Sequence, residues 1–273
     1  MAASGDRPKV DLYGATYGHF AEEIYAEIRR EASGEDVGQN SWVTTEELDR
    51  FARDLALGPG ARLLDVACGS GGPTLHLVRT TECTALGVDM HDDAIETAGR
   101  LAAEEGLADR AMFQPADAAA PLPFADGSFD ALLCIDAINH LADRPSVLRE
   151  WTRLVRPGGR LGFTDPITVT GILASDEIAI RASAGYYLFT PAGEDERLLA
   201  EVGLRLIRSE DASQNMAEVA ARRHNARSQR QDALRRIEGD ETFEAQQRFL
   251  SVTARIAREG RLSRFIYVAE KPT

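Results

Sequence analysis

The chain has 273 residues, 44% of them apolar, and 31 basic against 44 acidic side chains give a formal net charge of -13. That length and apolar content can bury one sizeable core, so a single α/β domain with additions fits better than two equal ones. The negative charge argues against nucleic acid as a substrate, since phosphate backbones call for a basic groove, and no apolar run reaches the roughly 18 to 20 residues that cross a bilayer.

Residues 1 to 10 read as a tail with little to bury, and their start, Met-Ala-Ala-Ser-Gly-Asp, lacks the basic and apolar regions of a signal peptide, so a cytoplasmic setting without membrane is expected. From Tyr13 to Arg30 the apolar spacing becomes helical: Phe20, Ile24 and Ile28 recur every four residues, with Tyr13 and Tyr17 earlier on the stripe. This helix is either a packing element or a lid over a ligand. A polar loop, Gly34 to Trp42, follows. It is either a plain connection with Trp42 as its apolar plug or part of a ligand cover. Thr44 and Glu47 form a capping-box pair for a helix running to about Leu57.

The stretch Leu63-Leu64-Asp65-Val66-Ala67-Cys68-Gly69-Ser70-Gly71-Gly72-Pro73-Thr74 reads as strand, tight turn and helix start. Glycines let the backbone approach a ligand closely, and the helix N-terminus behind them presents unpaired N–H groups. Asp65 adds a negative charge that suits an ammonium better than a phosphate. A second strand, 84 to 89, ends in Asp89, whose carboxylate can accept from two ribose hydroxyls. A helix from Asp92 to Glu105 and a strand from Ala111 to Gln114 lead to Asp117. The spacing D-x-x-x-G-x-G lacks the third glycine of the dinucleotide fingerprint, which disfavours a nicotinamide oxidoreductase.

A strand from Asp130 to Ile135, an amphipathic helix from Arg144 to Val155, the turn Pro157-Gly158-Gly159 and a strand from Arg160 to Thr164 come next. Such alternation implies a parallel sheet with helices on both faces. Ile172 to Tyr187 reads as a helix, Leu198 to Ile207 as helix, turn and strand, and Phe265 to Ala269 as the last strand. Met216 to Glu259 is helical and charged. Its Arg222, Arg223, Arg227 and Arg230 read as a solvated face, with a cap over a substrate pocket as the alternative. Cys68, Cys83 and Cys134 are widely spaced and read as core residues rather than a disulfide or metal site.

Asp65, Gly69, Gly71, Asp89 and Asp117, in this order, make the chain resemble the class I S-adenosylmethionine-dependent methyltransferases over nearly its whole length. The turn Arg156-Pro157-Gly158-Gly159-Arg160 is similar to the one before that family's fifth strand. The resemblance implies a doubly wound, mostly parallel seven-stranded sheet in one α/β domain. Residues 1–58 would form a tail and lid helices, 59–165 the cofactor-binding core, and 166–273 the acceptor-site helices, an insertion and closing strands. S-adenosylmethionine is the implied cofactor. Asp65 would lie near its amino group, Asp89 would hold the ribose and Asp117 would meet the adenine amine. Ala67, Met90 and Ala118 complete that set, and Ala67 stands where the family usually has glycine. Gln39, Ser41 and Trp42 would lie in a loop that closes over the methionine end.

The segment Asp136-Ala137-Ile138-Asn139-His140 resembles a narrower group, the phosphoethanolamine- and sarcosine-type N-methyltransferases together with sugar O-methyltransferases. It implies His140 as the catalytic histidine, Asp165 as the acid that orients or stabilises it, Asp136 at the substrate, and Tyr17 or Tyr13 over the acceptor. Methyl transfer from a sulfonium needs alignment and removal of a proton from the nucleophile, and histidine titrates in the right range. The expected activity is methylation of a nitrogen or oxygen of a small molecule by a monomer or homodimer. A carbon acceptor and a non-catalytic S-adenosylmethionine-binding protein are the alternatives. Pro166, Ile167 and Val169 stand where a phosphate-binding patch would be, which speaks against a phosphorylated amine.

Overall fold

The computed structural model describes residues 22–183 and 185–273, so Tyr13, Tyr17 and the tail before them lie outside the described residues. Helices α1 (Glu23–Ser33) and α2 (Thr45–Asp54) precede β1 (Arg62–Val66), α3 (Gly72–Thr81), β2 (Thr84–Asp89), α4 (Asp92–Glu104), β3 (Ala111–Pro115) and β4 (Phe129–Cys134). A short 3-10 turn, Ile138–His140, leads to α5 (Arg144–Leu154) and β5 (Val155–Val169). Then come α6 (Ser175–Arg181), the two-residue β6 (Thr190–Pro191), α7 (Glu194–Glu201), β7 (Arg205–Asp211), α8 (Ser213–Gln229), α9 (Gln231–Glu238), α10 (Asp240–Arg258) and β8 (Leu262–Glu270).

The strands form one sheet in the order β3-β2-β1-β4-β5-β8-β7, with β6 beside the end of β5. Strands β1 to β5 run parallel, and β8 lies antiparallel between β5 and β7. Because successive strand residues point to opposite faces, neighbours such as Leu63 and Leu64 enter different cores. One core joins Leu64, Leu132, Phe163 and Tyr267 to Trp151 of α5, and the other joins Leu63, Leu133 and Val268 to Phe51 of α2 and Leu75 of α3. A third cluster packs Met216 and Ala220 of α8 and Leu250 and Ala254 of α10 against Ala32 of α1 and Trp42. The insertion thus rests on the segment ahead of β1. Chain order reverses at β1, with β2 and β4 on its two sides, and the crevice outside the carboxyl ends of β1 and β4 is where open α/β sheets take ligands.

Strand β5 and the helix after it depart most from their sequence-based bounds. Strand β5 continues past Thr164 because β8 keeps pairing with it as far as Leu262, across a register shift between Asp165 and Thr168 that accommodates Pro166. The helix expected over 172–187 is confined to Ser175–Arg181. Glu177 accepts the Ala174 N–H at 2.9 Å, and Arg261 holds both that carboxylate and the Ile172 carbonyl, so the chain before Ser175 is pinned in extended form. No helix among the described residues is long and apolar enough to cross a membrane.

Candidate active site

At the end of β1 the chain turns through Ala67 (φ 58°), Gly69 (φ 54°) and Gly71 (φ 76°) before α3 begins. A left-handed φ costs an L-residue roughly 1–2 kcal/mol, which explains why glycine suits the position that Ala67 holds. A Cβ on Gly72 would sit 1.8 Å from the Val37 carbonyl oxygen, so the loop before α2 is pressed against the N-terminus of α3.

Asp65 is 2% exposed, and its Oδ2 accepts the Thr74 hydroxyl at 2.5 Å. Burial raises its carboxyl to about 7, with the Asp89 charge adding to the rise and the Thr74 bond opposing it. Asp89, also buried, accepts the Gly69 N–H at 2.9 Å through Oδ2, and the His91 N–H and Nδ1 at 3.0 and 2.9 Å through Oδ1. It therefore ties the tip of β2 to the glycine turn. The Ser70 hydroxyl is buried in that turn with no hydrogen-bond partner among the described residues. Met90 is exposed and Ala118 buried, while Asp117 is exposed and accepts the Ala119 N–H at 2.8 Å. A dehydrated acid, an unmatched hydroxyl and a carboxylate at the next strand tip fit a ligand with a cationic amine at one end and a ribose diol at the other.

The loop from Glu35 to Val43 approaches the tip of β4. Gln39 is buried, and both ends of its amide are used within the loop: Oε1 accepts the Val37 N–H at 2.9 Å and Nε2 donates to the Glu35 carbonyl at 3.0 Å. It shapes the loop rather than reaching out of it. The Trp42 N–H donates to Asp136 Oδ2 at 2.8 Å, and Ser41 Oγ accepts the Val43 N–H at 3.4 Å. Asp136, with φ 50°, also accepts the Thr164 hydroxyl at 2.6 Å and Arg264 Nε at 2.7 Å, so its carboxylate joins the loop, β4, β5 and β8. Arg264 is fully buried, and its Nη1 donates to both oxygens of Glu47 at 2.9 and 3.0 Å. Thr44 accepts the Glu47 N–H at 3.4 Å as expected of a cap, but the Glu47 side chain points to Arg264 and completes no capping box.

His140 ends the 3-10 turn after β4. Its Nδ1 donates to the Tyr186 carbonyl at 2.7 Å, the Asn139 amide lies 3.3 Å from Nε2, and the Tyr187 ring packs edge-on with centroids 4.8 Å apart. With Nδ1 donating to a carbonyl, the neutral ring carries its lone pair on Nε2. Burial lowers the imidazole below the ordinary histidine value, against the opposing bond to Tyr186 and despite the field of Asp165. The carbonyl of Tyr186, and not Asp165, takes the orienting hydrogen bond. Asp165 is fully buried; its Oδ2 accepts Arg144 Nη1 at 2.6 Å and its Oδ1 accepts the Ile167 N–H at 3.1 Å. The same Nη1 reaches Asp195 at 2.7 Å, and burial followed by the charge of Asp165 raises the Asp195 carboxyl to about 7.

The structure thus gathers Asp65, Ala67, Gly69, Gly71 and Asp89 at one turn, and links Trp42 to Asp136 across the crevice. Arg144, Arg264 and His91 are partners that sequence reading missed. Only the D-x-H spacing of Asp89 and His91 offered a local signal. The cluster read as a solvated face is also revised: Arg222 is exposed, but Arg223 turns onto the loop, Arg227 pairs with Glu238, and Arg230 reaches Glu27 and Glu31 of α1.

A family model described as a methyltransferase domain matches residues 64–163. The 27-O-demethylrifamycin SV methyltransferase of Amycolatopsis mediterranei is 31% identical over 204 residues, covering 70% of this chain and 75% of that one. Methyltransferase GfsG of Streptomyces halstedii is 31% identical over 229 residues, covering 78% of this chain and 81% of its own. Among solved structures, phosphoethanolamine N-methyltransferase 2 of Haemonchus contortus, in complex with phosphomonomethylethanolamine and S-adenosylhomocysteine, superposes with a TM-score of 0.80. The two are 17% identical, and the superposition covers 97% of this chain and 61% of that one.

Proposed function

Since the chain belongs to the class I S-adenosylmethionine-dependent methyltransferases, we propose that it methylates an oxygen of a small molecule, with His140 as the base that removes the hydroxyl proton. The observation that carries this reading is the imidazole itself. Its Nδ1 is committed to the Tyr186 carbonyl, and burial keeps the ring neutral near pH 7. An amine acceptor needs only to be neutral and aligned, whereas a hydroxyl gains more from a base, and the Nε2 lone pair, now 3.3 Å from the Asn139 amide, is the basic position of this ring. The rifamycin relative, named for an O-demethyl substrate, supports the same choice.

The bound donor supplies an electrophilic methyl group on a sulfonium. Asp65 would face its ammonium from the end of β1, and Asp89 would hold the ribose diol. Met90 and Ala118 would flank the adenine, with Asp117 at the exocyclic amine. Across the crevice, Ser41 and Trp42 would cover the methionine end, and Nε2 of His140 would take the hydroxyl proton while the carbon–sulfur bond of the donor gives way to the new oxygen–carbon bond, leaving S-adenosylhomocysteine. Asp165 acts on the ring through its field and through the placement of β5, while Asp136 positions the loop. Tyr17 and Tyr13 remain candidates for contact with the acceptor.

The test is methyl transfer to a panel of alcohols, phenols and amines, run with wild type and His140→Gln. Transfer to a hydroxyl that falls by about two to four orders of magnitude in the variant is expected, with donor affinity kept. Turnover of amines alone, or an undiminished variant, would defeat the proposal. No transfer to any acceptor by a protein that still binds donor would favour a purely binding role.

A further inference from the structure

The helix α8 lies far along the chain from the loop before α2, yet one face of it grips that loop. Nη1 of Arg223 donates to the Asn40 carbonyl at 3.1 Å, and Nη2 donates to the Ser41 carbonyl at 3.0 Å. Nδ2 of Asn215, two helical turns earlier on the same face, donates to the Trp42 carbonyl at 2.9 Å. Three consecutive carbonyls are thus each held by a side chain of one helix. The guanidinium also lies over the Trp42 ring, 5.2 Å from its centroid.

The loop divides into two halves by the source of its support. Residues 35–39 take their support nearby: Arg29 of α1 donates to both oxygens of Asp36 at 2.6 and 3.1 Å, Asp36 accepts the Gly38 N–H at 2.8 Å, and Gln39 ties Val37 to Glu35. Residues 40–42 take their bonds from elsewhere, on one side from Asp136 to the Trp42 N–H and on the other from α8 to the carbonyls. Carbonyls that are held by distant side chains keep their place only while those elements stay in place.

Arg223 is an expensive way to hold a loop. It has no carboxylate partner among the ion pairs of the described residues, its Nε is buried without a hydrogen-bond partner, and burial lowers its guanidinium to about 10, so it stays charged near neutral pH. A half-buried cation spent on backbone carbonyls is hard to explain by stability alone.

We propose that Arg223 and Asn215 are positioning residues that latch the helical cap onto the donor loop and thereby fix Ser41 and Trp42 over the methionine end of the bound donor. The latch couples the cap to closure over the donor. This inference rests on the reading that the loop covers the methionine end.

The experiment measures affinity by calorimetry for two probes, S-adenosylhomocysteine and methylthioadenosine, which shares the nucleoside but lacks the amino-acid end. Arg223→Gln is expected to weaken the first by about tenfold or more, from the loss of two charge-assisted hydrogen bonds, and the second by less than about twofold. Arg223→Lys should recover part of the loss, and Asn215→Ala, which removes the bond to the Trp42 carbonyl together with one to Glu47 and keeps the cation, should give a smaller selective loss. Should Arg223→Gln fail to fold, Asn215→Ala carries the test alone. A folded Arg223→Gln protein with unchanged affinity for S-adenosylhomocysteine would overturn the latch, as would equal losses for both probes. Trp42→Ala separates the two layers. If it shows the selective loss while the α8 variants do not, only the latch fails. If neither Trp42→Ala nor the α8 variants discriminate the probes while Asp65→Asn does, the loop does not cover the methionine end.

Discussion

A carboxyl buried as completely as Asp65 has to be neutralised by a proton or by a ligand, and its raised value of about 7 says that the proton competes in the unliganded protein. Between the ordinary aspartate value of 3.8 and about 7, the folded protein holds a proton that the unfolded chain has released. The stability this lends is full below the lower value and is lost as pH rises through the upper one. A ligand ammonium reverses the balance, because it favours the charged form. The thermal stabilisation given by S-adenosylhomocysteine is therefore expected to grow as pH rises from about 5.5 to 8, with affinity changing by up to about tenfold per pH unit below 7. Scanning calorimetry with and without the ligand checks this, and Asp65→Asn should flatten the dependence. Asp65 itself was legible from its place before a glycine turn. The competition was not, since it depends on how fully the sheet and α3 exclude water from the carboxyl.

At the scale of single elements, local pattern located the strands around the glycine turn, because β1, β2 and β4 are short apolar runs bounded by turn residues. It overextended the helix after β5, because nothing in the Ile172 region announces that Arg261 will pin it. Helix α2 shows the same limit within a single motif. Thr44 caps it as its sequence suggests, whereas Glu47 abandons the reciprocal bond for an arginine 217 positions away. Thr44→Ala should then cost about 0.5–2 kcal/mol, the usual worth of a cap. Glu47→Gln should cost more, since it leaves the buried Arg264 with one charged partner fewer. Urea unfolding of the two variants compares them directly, and a smaller loss for Glu47→Gln would show that Arg264 does not depend on this carboxylate.

The same arginine decides how the whole molecule holds together. Arg264 on β8 meets Glu47 of α2 and Asp136 after β4, its own N–H donates to Ser213 of α8 at 3.0 Å, and Asn215 of α8 bridges the Trp42 carbonyl to Glu47. Residues before 59, the core up to 165 and the segment after it therefore share one buried polar knot, and sequence reading could name the three regions but not the knot, because the bonds joining Glu47 to Asn215 and Arg264, and Asp136 to Arg264, span 128 positions or more. A shared knot makes the proposed lid, core and insertion unfold together, so one transition is expected by both circular dichroism and tryptophan fluorescence. Removing the cation at its centre is the decisive perturbation. Arg264→Met leaves Glu47 and Asp136 buried without their common partner and should cost about 3–5 kcal/mol. If the knot is what unifies the regions, the Met variant should also split the transition, with Trp42 fluorescence on the lid side changing at lower denaturant than the far-ultraviolet signal of the core. Coincident curves in that variant would assign the unity of the molecule to its apolar cores, in particular to the cluster that packs α8 and α10 on Ala32 and Trp42.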